Sequence, residues 1–162
     1  MVNPTSSVKA GGPSDDTEQW NNMTSNDPVR EFLREKGCAD HIIRDGLAGL
    51  VEQWESAVQA IEDGYAFGLD DYLNDMDVRQ LLDESLGVAP HSDRDRFTER
   101  IKKADHKFKG LVEIVDVSLW GTEVAEEEGW TTESNWWYFA RPLEADPELL
   151  AEIDEVTGGD AL

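Results

Sequence analysis

The stretch DHIIRDGLAGLVEQWESAVQAIEDGY, residues 40–65, decides how this chain folds. Ile43, Leu47, Leu50, Trp54, Val58, Ile61 and Tyr65 recur at three- and four-residue steps, the period of one helical face. Asp45, Glu52, Glu55, Gln59 and Glu62 fall on the opposite side and are expected to face water. Asp40 is placed to cap the start by accepting hydrogen bonds from free backbone N–H groups. A helix of about seven turns at ~3.6 residues per turn cannot bury such a stripe against itself, so other segments must cover it. Gly46, Gly49, Ala57 and Ala60 form a shallow second flank that would admit another helix closely, although each Gly costs about 1 kcal/mol of helix propensity.

Upstream, Asp27-Pro28 opens a short helix, with Asp as N-cap and Pro where a missing N–H costs nothing. Val29, Phe32 and Leu33 are its inner face, and Gly37 is placed to end it after Arg34 and Lys36. Downstream, residues 69–86 read as two short helices broken near Asp75–Asp77. Asp77 and Gln80 form a capping box there, ahead of an inner face of Val78, Leu81, Leu82 and Leu86. Ser92 and Asp95 form a second such box before a helix burying Phe97, Ile101, Ala104 and Phe108. That helix carries half of the chain's 14 lysines and arginines. Residues 111–119 fit a strand by β-branching and a helix by periodicity, with the strand slightly favoured. Gly121 to Glu133 reads as an acidic connector. NWWYFARP reads as a strand over 135–140, stopped by Pro142. Asp146-Pro147 repeats the cap-plus-Pro start, with Leu149, Leu150 and Ile153 facing inward.

Together these readings give a mainly α fold. A single helical domain, about residues 27–156, packs around one long central helix (about 40–64). The pattern also allows a small β-hairpin pairing 111–119 with 135–140. Residues 1–26, rich in Ser, Thr, Asn, Gly, Asp and Pro, read as a disordered N-terminal tail, and 157–162 as a frayed C-terminus. At 162 residues with six Trp, five Phe and three Tyr, the chain is long enough for one domain with a real core.

Acidic residues number 36 against 14 basic ones, a formal net charge of −22. Such a surface repels nucleic acid and anionic membranes and attracts basic partners and cations. No apolar run approaches the ~18 residues of a membrane span and MVNPTSSVKAGG has no apolar h-region, so neither a secretory signal nor a membrane anchor is expected and a cytoplasmic location is. The single Cys38 excludes an internal disulfide and agrees with a reducing compartment.

No P-loop, G-x-G-x-x-G or G-x-S-x-G occurs, and no cofactor or catalytic residue is assigned. Three readings remain. The first is a non-enzymatic interaction module that binds a basic protein, steered by Asp70, Asp71, Asp75 and Asp77 and anchored by Trp136 or Trp137. The second is a small metal-dependent enzyme or ion-binding protein using oxygen ligands of the Asp70–Asp77 cluster, whose spacing does not match an EF-hand. The third is a soluble protein adapted to high salt. Arg96, Arg100, Lys103 and Lys107 share one stripe that suits an anion, or else pairs with Glu52, Glu55 and Asp83. His41, His91 and His106 read as surface residues. A homodimer through the Gly46/Gly49 flank or the aromatic strand stays open.

Overall fold

Asp27 does what its position before Pro28 implies. Its carboxylate accepts from the backbone N–H groups of Val29 and Arg30 at 3.0 and 3.2 Å, opening α1 (Pro28–Glu35) in a computed structural model that describes residues 27–158. Five further α-helices follow: α2 (Asp40–Glu62), α3 (Leu69–Val88), α4 (His91–Lys109), α5 (Thr122–Glu128) and α6 (Pro147–Thr157). Two short strands, β1 (Val112–Ile114) and β2 (Ala140–Pro142), pair antiparallel with Val112 opposite Pro142 and Ile114 opposite Ala140. The fold is mainly helical with a small two-stranded sheet. No helix among the described residues is long and apolar enough to cross a membrane. The expected N-terminal tail, residues 1–26, lies outside the described residues, as do 159–162. Thr157, the first residue of the stretch expected to fray, is the last residue of α6.

The stripe on α2 is buried as its spacing requires. Leu47, Leu50, Trp54, Val58, Ile61 and Tyr65 all lie in one core cluster with side chains of α1, α3, α4 and α6. Ile43 is only half-buried, and the reason is a break in the helix. Gly46 has φ 61° and ψ −150°, backbone that only glycine enters freely, so residues 40–45 and 47–62 are two helical segments meeting at an angle. Carbonyls freed by the break are taken up by Arg30. Its Nε donates to the Ile43 and Arg44 oxygens at 3.1 Å each, and its Nη2 to Arg44 at 2.7 Å. A Cβ on Gly46 would touch that guanidinium at 3.4 Å. Gly49 lies beneath the Asp45 side chain. The flank expected to receive a second helix is thus partly occupied by the chain itself. Asp40 is not the cap: Ala39 holds that position and makes no side-chain hydrogen bond.

Three other local expectations fail. Residues 69–88 form one helix, with Gly68 at its N-cap and Asp77 in mid-helix. Its buried face is Tyr72, Leu73, Met76, Arg79, Leu82 and Ser85, so Val78, Leu81 and Leu86 lie at the margin. Ser92 caps nothing, because α4 starts at His91 behind Pro90. The run 136–139 is a 3-10 helix, not a strand, and only 140–142 pairs with β1. Asn135 sets that turn: its carbonyl accepts from Tyr138 N–H at 3.0 Å, and its side-chain amide donates to Gln80 of α3 at 2.9 Å.

α4 lies along α2, burying Phe97, Ile101, Ala104 and Phe108 as expected. Across the exposed edge of that seam Arg100 forks onto Glu55 at 2.6 and 3.0 Å, and Lys107 reaches Glu62 at 2.8 Å. Beneath it, Trp54 Nε1 donates to Asp105 at 2.9 Å, while Arg79 of α3 grips the same carboxylate at 2.8 and 3.0 Å. Arg79 is only 6% exposed, and its guanidinium lies over Trp137, 4.6 Å from the ring centroid. A buried charge is tolerated here because a carboxylate, an aromatic face and a geometric fork all meet it.

Candidate functional site: an acidic surface around Trp130

A 3-10 turn points successive side chains about 120° apart, so the aromatic run does not split into two faces. Trp137, Tyr138 and Phe139 are all buried, with Trp137 only 1% exposed. Trp137 therefore cannot be the exposed anchor that the sequence nominates. Trp136 is half-buried, but it sits among cations: Lys109 Nζ is 4.4 Å and Arg79 Cζ 5.7 Å from its ring. That setting disfavours a basic partner at Trp136.

The acidic candidates separate in the same way. Asp70 and Asp71 are exposed in the first turn of α3, where they suit the helix dipole. Asp75 turns inward to accept from Tyr65 Oη at 2.7 Å, and Asp77 accepts from Tyr138 Oη at 2.6 Å. Two residues apart on a helix, these carboxylates point about 200° apart, so the Asp70–Asp77 set does not converge on one ion. Among the described residues no group of three or more His, Cys, Asp or Glu is placed to hold a metal. Burial pushes both carboxyls up from the ordinary aspartate value, offset by the tyrosine hydrogen bond in each case. Burial likewise raises the two tyrosine hydroxyls, and the carboxylate each one faces adds to the shift. Each pair is thus a neutral phenol donating to a carboxylate.

Of the four basic residues proposed to hold an anion, Arg100 and Lys107 are committed to Glu55 and Glu62 of α2, and Arg96 and Lys103 remain exposed. Glu55 is accordingly held below the ordinary glutamate value, first by the hydrogen bond from Arg100.

A surface that the sequence left as a connector has the more distinctive geometry. TEVAEEE, residues 122–128, forms α5, closed by Gly129 in a left-handed conformation. Glu126, Glu127 and Glu128 crowd its C-terminal end, and no basic residue lies in the last turn. Each such carboxylate faces the negative end of the helix dipole, an unfavourable placement of about 0.3–1 kcal/mol. None of the three forms an ion pair among the described residues, although Arg30, Lys36, Arg79, Arg100, Lys107 and Arg141 all do.

Trp130 follows at once and stacks on Tyr138, ring centroids 3.9 Å apart and 22° from parallel. Two clefts lie on either side of it. One, of about 280 Å³, is walled by Trp130, Tyr138 and Leu81 and edged by Asp77, Gln80, Glu84, Glu128 and Lys36. The other, of about 290 Å³, is lined by Phe139, Ala125, Val117 and Thr131 with Asp116 and Glu126 at its rim. Trp120, 38% exposed, adds another aromatic to this side of the molecule. A larger recess of about 610 Å³ lies between β1 and α6, but its one cation, Arg141, is forked onto Asp154 and its walls hold no aromatic ring. The groove of about 440 Å³ between α2 and α3 has the small-residue floor already noted.

By fold and surface the chain falls in the class of acidic, mainly helical domains with a small antiparallel sheet. Comparison with protein-family models, with curated proteins and with solved structures finds no match to it.

Proposed function

We propose that the chain is a non-catalytic interaction module that binds a basic protein segment across the Trp130 surface. The observation that carries this reading is the coincidence, at one place, of stacked aromatic faces with glutamates that have no cation of their own. Elsewhere Asp105, Asp154 and Glu84 meet arginine or lysine, and Asp75 and Asp77 meet tyrosine. Around α5 the molecule gathers like charge at the helix end where charge of that sign is least favourable. Such an arrangement gains free energy when a cationic partner arrives, and flat aromatic side chains supply the contact area typical of interface anchors. The steering role first assigned to Asp70, Asp71, Asp75 and Asp77 narrows to the two exposed members, Asp70 and Asp71.

The test is a calorimetric titration with a synthetic lysine- and arginine-rich peptide at low and moderate salt. The triple variant Glu126→Gln/Glu127→Gln/Glu128→Gln is compared with a control of equal charge, Asp40→Asn/Asp95→Asn/Glu99→Gln. The α5 variant is expected to weaken binding about tenfold and the control less than about twofold. Equal weakening by both would mean that only bulk charge is being sensed, as in a protein acidic for the sake of salt tolerance, and the reading would fail.

A further inference from the structure

The cleft between Trp130 and Lys36 carries a more specific assignment, which rests on the reading just given. We infer that it is the receptacle for one arginine side chain of the basic partner, and that Lys36 is a resident competitor held at its mouth.

Three observations support this. The first is composition. Aromatic and aliphatic walls from Trp130, Tyr138 and Leu81 enclose a space suited to one side chain, and the carboxylates at its edge outnumber the single cation three to one. The second is the state of that cation. Lys36 Nζ donates to Glu84 Oε1 at 2.8 Å while Gln80 Nε2 occupies Glu84 Oε2 at 2.8 Å, so Glu84 is spoken for and Glu128 is not. Lys36 is itself exposed, on the C-terminal edge of α1, and an exposed pair of this kind is readily exchanged. The third is a precedent within the same molecule. Arg79 is held by an aromatic face and a forked carboxylate, Trp137 and Asp105. The cleft offers the same two elements, Trp130 stacked on Tyr138 and the Glu128 carboxylate, with no guanidinium supplied from within.

A planar guanidinium answers these features better than an ammonium does, because it stacks on an aromatic face while forking onto a carboxylate. Incoming arginine would lie against the Trp130 indole, face Glu128, and take over Glu84 as Lys36 swings into solvent.

The assignment is tested with end-blocked tripeptides Gly-Arg-Gly, Gly-Lys-Gly and Gly-citrulline-Gly, followed by NMR through the indole N–H signals of the intact protein. The Trp130 signal is assigned with Trp130→Phe. The arginine peptide is expected to shift the Trp130 signal, with millimolar affinity, and to bind at least about threefold more tightly than the lysine peptide. Citrulline, isosteric but uncharged, is expected not to bind. Lys36→Gln should tighten arginine binding about three- to fivefold, and Glu128→Gln should weaken it by a similar factor. Neither exposed substitution threatens the core, and the unshifted indole signals report folding directly.

Equal binding of lysine and arginine, or an unchanged affinity in Lys36→Gln, would overturn the assignment. So would a shift that reflects self-association, detected by sedimentation at the same concentrations. If the α5 triple variant still loses the long peptide while these short probes leave Trp130 unmoved, the cleft assignment fails and the interaction reading stands. Should the long peptide ignore α5 while the short probe obeys Lys36, the interaction reading fails and the cleft remains a guanidinium site.

Discussion

Two regions of this molecule handle carboxylates at helix contacts in opposite ways. Along the seam of α2 and α4, acidic groups meet cations: Asp105 is gripped by Arg79 and Glu55 by Arg100. On the flanks of α3, they meet phenols: Asp75 faces Tyr65 and Asp77 faces Tyr138. A cation lowers the free energy of the charged carboxylate, whereas a neutral hydroxyl only partly offsets the cost of removing it from water. Hence Glu55 is held below the usual range and Asp75 and Asp77 are pushed above it. In a chain with only 14 basic residues, Arg79 and Arg100 fasten α4 to its neighbours, and tyrosines meet Asp75 and Asp77.

The largest expected effect comes from breaking the cationic side at its centre. Arg79→Ala strands Asp105 beside Trp54 and uncovers Trp137, and is expected to destabilise the fold by about 3–5 kcal/mol in denaturant unfolding. A loss below about 1 kcal/mol would show that water reaches Asp105 and that the seam is wetter than described.

The contrast sharpens when one kind of substitution is made on both sides. Asp105→Asn removes the charge that Arg79 needs and is expected to cost about 2–3 kcal/mol at neutral pH. Asp77→Asn keeps an acceptor for Tyr138 and removes a charge that burial disfavours. It is expected to be neutral or stabilising by about 0.5–1 kcal/mol after allowance for screening. Linkage gives the matching pH signature. A carboxyl raised in the folded state binds its proton more tightly than in the unfolded chain. Its contribution is present below the ordinary aspartate value and is lost as pH rises through the folded value. Asp77→Asn should flatten that decline, and an unchanged profile would contradict the burial assigned to Asp77.

The smallest effect belongs to the exposed edge of the seam. Arg100→Gln is expected to lower the thermal midpoint only slightly, since Arg100 and Glu55 are both well solvated. Here the sign of linkage reverses. Glu55 is lowered in the fold, so its contribution is present above the ordinary glutamate value and is lost as pH falls through the folded value. Thermal melts of wild type and Arg100→Gln should therefore differ more at neutral pH than near pH 4, where part of the Glu55 contribution is already lost.

What could be read from the sequence follows the range of the forces involved. The α4 stripe, the α2 stripe from Leu47 onward and the Asp27 and Asp146 caps rest on periodicity and neighbours within three residues, and these appear as expected. The supposed break at Asp75–Asp77 failed because aspartate in mid-helix reads as a cap. Here each is satisfied by a tyrosine, one of them 61 residues away. The aromatic run failed for a similar reason: β-propensity favoured a strand, but Gln80 and Asn135, 55 residues apart, fix a 3-10 turn. α5 falls within the stretch that reads as an acidic connector, and its C-terminal glutamates, set against the helix dipole, give no local helix signal. The sequence nominates Trp136 and Trp137 as exposed aromatics; Trp137 is buried and Trp136 half-buried, and the proposed surface is built instead on Trp130 and Trp120.

The kink at Gly46 has a bearing on where this polypeptide can be shortened. Whatever lies before Asp27, any deletion reaching Arg30 removes the plug from the Ile43 and Arg44 carbonyls and unfastens residues 40–45 from the bundle. The tenant of the Trp130 cleft would go astray with them, since Lys36 rides on the same opening segment.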